Sequence, residues 1–240
     1  MDSETRGCAA IAYAKGTSHR FYEDRFRLLT SEAPVVRRAN RGQLFAVFDG
    51  ISTAPKGMSA AQAMSDALVR FFSEPEEYPA TAEGLCRILE EGNRLVHGWG
   101  YDKETGRVEG GCAGTLAWIH GEAVRIIHCG DTACYVTDGG EARLITTEDK
   151  EKDGRISNYF GIGEELRLAV HEESADSAYR VAIVSDGVTK ACGTDDVGRI
   201  LSGIDDPRQA AAEIVRLARS RGSYDDITAL VIDVSEMDEG

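Results

Sequence analysis

Apolar residues along this chain follow two different periods. Runs of strand length, bounded by glycine, aspartate or other charge, occupy residues 8–14, 24–30, 43–48, 115–120, 123–129, 133–137, 142–146, 179–185 and 227–234. Two of the links between them are short enough for hairpins, Gly121-Glu122 and Asp138-Gly139-Gly140. Consecutive hairpins imply antiparallel neighbours. Three longer stretches repeat every three to four residues instead, the spacing of a helix face. In 57–73, Ala61, Met64, Leu68 and Phe71 share a side. In 81–99, Leu85, Ile88, Leu89, Leu95, Val96 and Trp99 do so behind Thr81 as an N-cap. In 207–220 the stripe is Ile214, Leu217 and Ala218, with Asp206 as cap, Pro207 in the first turn and Gly222 as the stop. Strands and helices come in separate blocks, which predicts an α+β fold. No repeat, low-complexity tract or long linker interrupts the chain. A single domain over 1–240 is expected, with short flexible tails at about 1–7 and 235–240 and a charged, glycine-rich, flap-like segment at about 150–163.

Composition narrows the class. The chain has 240 residues, 42% of them apolar and 28% charged, the range of an ordinary globular protein. No apolar run approaches the ~20 residues that span a bilayer. Residues 1–7 carry mixed charge and no signal-type apolar segment, so a cytoplasmic protein is expected. Six cysteines, Cys8, Cys86, Cys112, Cys129, Cys134 and Cys192, form no Cys-x-x-Cys pair, and most lie in apolar runs. They read as buried, reduced thiols. His97, His120, His128 and His171 lack metal-ligand spacing and read as core or surface residues. With 27 basic and 41 acidic residues the net charge is −14, which disfavours nucleic acid and anionic membranes as partners.

The acidity is placed as well as abundant. Glu23-Asp24 opens a strand; Asp49-Gly50, Gly130-Asp131 and Asp186-Gly187 each follow one; Asp225-Asp226 precedes another. A single Asp-Gly after a strand is an ordinary turn. Five acidic sites at strand ends are a different matter, because strand ends can converge on one point. Clustered carboxylates raise one another's pKa unless cations neutralise them. An all-oxygen set without histidine suits Mg²⁺ or Mn²⁺ better than zinc.

At these residues the sequence resembles the metal-dependent protein phosphatases, the type 2C serine/threonine family, in the form of its bacterial single-domain members. Glu23-Asp24 is similar to the first acidic motif of that family and Phe45-Ala46-Val47-Phe48-Asp49-Gly50 to its aspartate-glycine motif. Gly114-Thr115 resembles the Gly-Ser/Thr-Thr turn, and His128 to Tyr135 resembles Val-Gly-Asp-Ser-Arg-Ala-Tyr. Val184-Ser185-Asp186-Gly187-Val188 resembles Ser-Asp-Gly-Leu, and Asp225-Asp226-Ile227-Thr228 resembles Asp-Asn-Ile-Thr. The six motifs stand in the family order and span nearly the whole chain.

The resemblance implies a four-layer αββα sandwich, two antiparallel sheets flanked by helices. It implies hydrolysis of phosphoserine or phosphothreonine in proteins by a metal-activated water at a binuclear Mn²⁺ or Mg²⁺ centre, with a third metal in some members. Asp49 would bridge two metals beside the carbonyl of Gly50, and Asp186 and Asp225 would complete one metal's shell. Glu23 would act through water with Asp24 beside it, and Asp131 would hold the weaker third metal. The implied partner is a phosphorylated protein, the product of a serine/threonine kinase, met by a monomeric enzyme.

Three positions depart from the pattern. Ile51 stands where the family carries a histidine proposed as general acid. The phosphate-binding arginine is displaced: its position is His19, with Arg20 one later, and either could contact phosphate. Asp226 replaces an asparagine, and either tightens metal binding or faces solvent. These departures keep a second reading open, a catalytically weak or inactive phosphatase-fold module that binds a phosphoprotein or regulator. The segment 150–163 could be a mobile surface loop, or it could bring Ser157 to Gly161 beside the site.

Overall fold

The central strands of this chain are apolar on both faces, so each face needs a cover. A computed structural model, which describes all residues except 19, 101–103, 105–107, 139, 176–178 and 236–240, shows how both are covered. One sheet runs in the order β1 (Asp2–Arg6), β2 (Ala9–Ala14), β11 (Ile227–Asp233), β10 (Arg180–Val184), β7 (Ala133–Thr137), β8 (Ala142–Leu144). The other runs β3 (Arg25–Leu29), β4 (Gln43–Gly50), β5 (Cys112–His120), β6 (Ala123–Cys129), β9 (Ala169–Ser174). Each neighbouring pair is antiparallel. The helices α1 (Pro34–Ala39), α2 (Gly57–Ala67), α3 (Arg70–Ser73) and α4 (Ala82–His97) cover the outer face of the second sheet. The outer face of the first is covered by α5 (Asp186–Thr189), α6 (Thr194–Gly203) and α7 (Pro207–Ser220).

The period-2 alternation of a strand divides its residues between these layers. Phe45 and Val47 of β4 meet Ile183 of β10 and Leu230 and Ile232 of β11 in the core between the sheets. Leu44, Ala46 and Phe48 of the same strand point the other way, onto Met64, Leu85 and Ile88. Ala229 and Val231 of β11 likewise face Ile214 and Val215 of α7. The expected α+β sandwich of two antiparallel sheets flanked by helices is the observed architecture.

The termini of the long helices follow their caps. The Thr81 side chain accepts a hydrogen bond from the N–H of Gly84, and Asp206 accepts one from Arg208. Gly222, at φ +85°, takes the chain out of α7.

Several expectations need correction. Residues 57–73 are two helices rather than one. The chain keeps coiling between them through i+3 bonds, Val69 N–H to Asp66 O and Phe71 N–H to Leu68 O, so Met64, Leu68 and Phe71 still share a buried side. Leu95 is 59% exposed, because the buried stripe of α4 runs through Leu85, Ile88, Leu89 and Val96 and leaves it on the opposite side. The supposed tail at 1–7 holds β1, paired with β2 from Asp2↔Tyr13 to Arg6↔Ala9. Gly114-Thr115 is not a turn but lies inside β5, where a Cβ on Gly114 would stand 2.3 Å from the Phe48 ring. Most of the C-terminal tail lies outside the described residues.

Candidate active site

The acidic residues come from one end of the sandwich, and the register explains why. Arg25 pairs with Phe48 and Phe48 with Gly114, which pairs with Cys129 in turn. Asp24, Asp49 and Asp131 therefore emerge at the same end of neighbouring strands. In the other sheet Val184 pairs with Ala229, so Asp186 and Asp225 leave β10 and enter β11 side by side. Asp49, Gly50, Asp131, Asp186 and Asp225 all line one cleft of ≈ 640 Å³, together with Ile51, Arg155, Tyr159 and Lys190.

Close backbone contacts fix this end. A Cβ on Gly50 would stand 2.8 Å from Gly57 and 3.0 Å from the carbonyl oxygen of Glu23, which puts Glu23 against the Asp49-Gly50 turn. A Cβ on Gly187 would stand 1.9 Å from the Asp226 carbonyl oxygen, so only glycine lets the Asp186 loop approach the Asp225 loop this closely. Asp226 is buried rather than solvent-facing. Its two carboxylate oxygens accept the N–H groups of Gly16 (2.7 Å) and Glu23 (2.6 Å), tying the first acidic motif to the last.

The charges repel. Burial pushes the Asp49 carboxyl well above the usual carboxylate range, and Asp24, Asp186, Asp131 and Asp225 push it further. Asp186 is raised to about 6, first by burial and then by Asp131, with Lys190 opposing. Asp24, fully buried, is raised to about 7 by burial; the hydroxyl of Thr228, which donates to its Oδ2 at 2.5 Å, pulls in the opposite direction. Tyr22 in turn donates to Thr228 (2.5 Å). Among the described residues none hydrogen-bonds the buried Asp24 Oδ1. The N–H of Asp186 reaches Asp49 Oδ2 at 3.3 Å.

This donor set fits a hard dication: it is all oxygen, it is mutually repelling, and one of its buried oxygens takes no hydrogen bond from the described residues. As the side chains stand, no group of three or more His, Cys, Asp or Glu among the described residues is closed on an ion position. Lysines stand between the carboxylates instead. Lys190 Nζ lies 2.6 Å from both Asp186 Oδ2 and Asp225 Oδ2, and Lys150 Nζ lies 3.2 Å from both Asp131 Oδ2 and Glu148 Oε2. Neither lysine was evident as a site residue in the sequence. For Lys190 a signal existed, since a lysine four positions after Asp186 faces it across one helical turn.

Of the two phosphate-binding candidates, His19 lies outside the described residues. Arg20 is exposed, with its guanidinium 5.1 Å from the centre of the Phe21 ring, and it does not line the cleft. Arg155 of the flap-like segment does. That segment is pinned: Asp149 Oδ2 accepts from the N–H of Gly130 (2.9 Å) and from Asn158 Nδ2 (2.8 Å), and Phe160 exchanges two backbone bonds with Cys112. It brings Tyr159 and Ile156 to the cleft wall. His128 is a buried core histidine; Thr115 donates to its Nδ1 (2.8 Å), and its Nε2–H donates to the Thr147 carbonyl (3.0 Å). All the cysteines but Cys86 are buried.

Known proteins can now be set beside this geometry. Among curated relatives, protein phosphatase 2C homolog 4 of Schizosaccharomyces pombe is 32% identical over 147 residues, which cover 45% of this chain and 38% of that protein. Probable protein phosphatase 2C 17 of Arabidopsis thaliana is 24% identical over 230 residues, covering 79% of this chain and 77% of its own. Two solved structures share the fold. The serine/threonine phosphatase Stp1 from Staphylococcus aureus superposes with a TM-score of 0.81 at 17% identity, over 100% of this chain and 98% of that one. The catalytic domain of the phosphatase PstP, solved with two manganese ions, gives 0.75 at 21% identity over 94% and 96%. The sequence profile described as protein phosphatase 2C matches residues 23–219, most of the chain. With the profile, the acidic strand ends and the two-sheet sandwich in agreement, the chain belongs to the protein phosphatase 2C family.

Proposed function

We propose that the protein hydrolyses phosphoserine and phosphothreonine esters in proteins at a binuclear Mn²⁺ or Mg²⁺ centre. The observation that carries this reading is the meeting of Asp49, Asp131, Asp186 and Asp225, drawn from both sheets, in one solvent-open cleft where their carboxyls repel. Asp49 would bridge the two ions beside the Gly50 carbonyl, Asp186 and Asp225 would hold one of them, and Glu23 would act through water. Asp131 would hold a third. Bound cations would supply a nucleophilic water for in-line attack on phosphorus and would offset charge on the phosphoryl oxygens.

The chain's own groups do the rest. Asp24, buried and fixed by the Thr228 hydroxyl, would sit beside Glu23. Arg155 is 80% exposed at the cleft, paired with the neighbouring Asp153, and is the guanidinium placed to grip a phosphate oxyanion. Ile51 lines the cleft and has no proton to give, so the leaving oxygen must take its proton from another group.

The test is phosphate release from a phosphothreonine peptide in Mn²⁺, in Mg²⁺ and in EDTA. Turnover that needs the cation supports the reading. Ile51 and the lysine-bridged carboxylates favour one rival, the same fold binding phosphoproteins without turnover. That rival leads if the folded protein binds Mn²⁺ yet releases no phosphate.

A further inference from the structure

Lys190 follows α5 directly. Its N–H bonds to the Asp186 carbonyl (2.9 Å), closing one helical turn, so its side chain leaves on the Asp186 side. The ammonium then stands between two carboxylates that belong to different loops, 2.6 Å from Asp186 Oδ2 and 2.6 Å from Asp225 Oδ2. A hard dication binding the same two oxygens would sit between them at ~2.0–2.2 Å from each, in the space the ammonium fills. One positive charge against two carboxylates leaves a negative excess, which a dication would cancel. The lysine side chain is 40% exposed, so it has an outward path into the cleft it lines.

We propose that Lys190 is a tethered cation that competes with metal for the Asp186–Asp225 pair: it holds the two loops together in the metal-free protein and is expelled when the ion enters. The inference rests on the metal-binding reading above. Its consequence is a built-in threshold. The metal must displace an internal ion pair before it is bound, so the site fills at a higher metal concentration than its carboxylates alone would set. Expulsion leaves the ammonium on a flexible stem at the cleft wall, where an anionic substrate group can meet it.

The test is calorimetric titration of Mn²⁺ into the full chain, the Lys190→Gln variant and the Arg155→Gln variant, which removes the same charge from the cleft rim without touching the pair. Competition predicts that K190Q tightens Mn²⁺ binding about tenfold or more, the order of effect of an adjacent opposite charge, while R155Q changes it less than about threefold. Equal tightening in both variants means bulk charge alone and overturns the proposal, as does unchanged binding in K190Q. Absence of Mn²⁺ binding to every form removes the metal reading and this inference with it. K190Q leaves the Asp186–Asp225 repulsion unscreened, so a measurement on the unaltered chain stands beside it. Amine acetylation of Lys190, read by mass spectrometry, should rise several-fold when Mn²⁺ is added; labelling that does not respond to Mn²⁺ overturns the expulsion.

Discussion

Asp49 and Asp226 are both aspartates beside apolar strands, yet their surroundings give them opposite roles. Asp226 spends both oxygens on backbone N–H groups and is structural. Asp49 faces the cleft among like charges. The resemblance singled out Asp49 but left Asp226 open, because that carboxylate's partners lie as far as 210 residues away along the chain. It did place the cluster, since acidic residues at strand ends are legible without knowing which strands pair. The repulsion has a measurable sign. Burial and neighbouring carboxylates push Asp24 up to about 7 and Asp186 up to about 6 in the folded chain, against about 3.9 for an unfolded aspartate. Between those values the folded state holds more protons, so raising the pH favours unfolding. In EDTA the Tm should be highest near pH 4 and fall, on the order of 5 °C, as pH rises through 6 and 7. Saturating Mn²⁺ should flatten that fall, and a Tm that rises over the same window in EDTA would contradict the electrostatics. Ile51 gives a second residue-level expectation. Ile51→His places a proton donor in the cleft, so kcat should rise about tenfold for a phosphothreonine peptide. For para-nitrophenyl phosphate, whose leaving group needs no proton, it should barely change. Steady-state kinetics on the two substrates check it.

At the scale of elements, the apolar period found the strands buried on both sides and the edge strands β3 and β8, and missed the edge strands β1 and β9. β1 and β9 are edge strands whose side chains are mostly exposed, polar and apolar alike, so no alternation marks them. The strands from β2 to β7 and the helices α4 and α7 were legible, because burial and caps act together there. The flap-like segment was legible only as charge and glycine. What orders it is α4: buried Asn93 accepts from the N–H groups of Gly161 (2.7 Å) and Gly163 (3.3 Å) and donates to the Gly163 carbonyl (2.8 Å). Asn93→Ala would leave these groups unpaired at a cost of about 1–3 kcal/mol. Amide hydrogen exchange at Gly161 and Gly163 should accelerate while exchange in β4 and β10 stays slow. Uniform acceleration would mean that the segment is not a separate unit.

For the whole molecule, the site exists only because two sheets stack. β3, β4 and β6 bring Asp24, Asp49 and Asp131 from one, and β10 and β11 bring Asp186 and Asp225 from the other. Their shared core, with Phe45, Val47, Ile183 and Leu230 buried between the layers, holds the two halves of the cluster in register against their own repulsion. The order of motifs made this architecture readable as a resemblance. The lysines that intervene became visible only when the loops carrying Asp186 and Asp225 were seen together. On the proposed function, carboxylates of both sheets would act as one metal-dependent centre. Its most direct test is Mn²⁺-dependent phosphate release by the full chain beside Asp49→Asn and Asp186→Asn, one change from each sheet, with folding checked by circular dichroism. Each folded variant should lose at least about 10²-fold in kcat/KM. Turnover retained in either folded variant would contradict it.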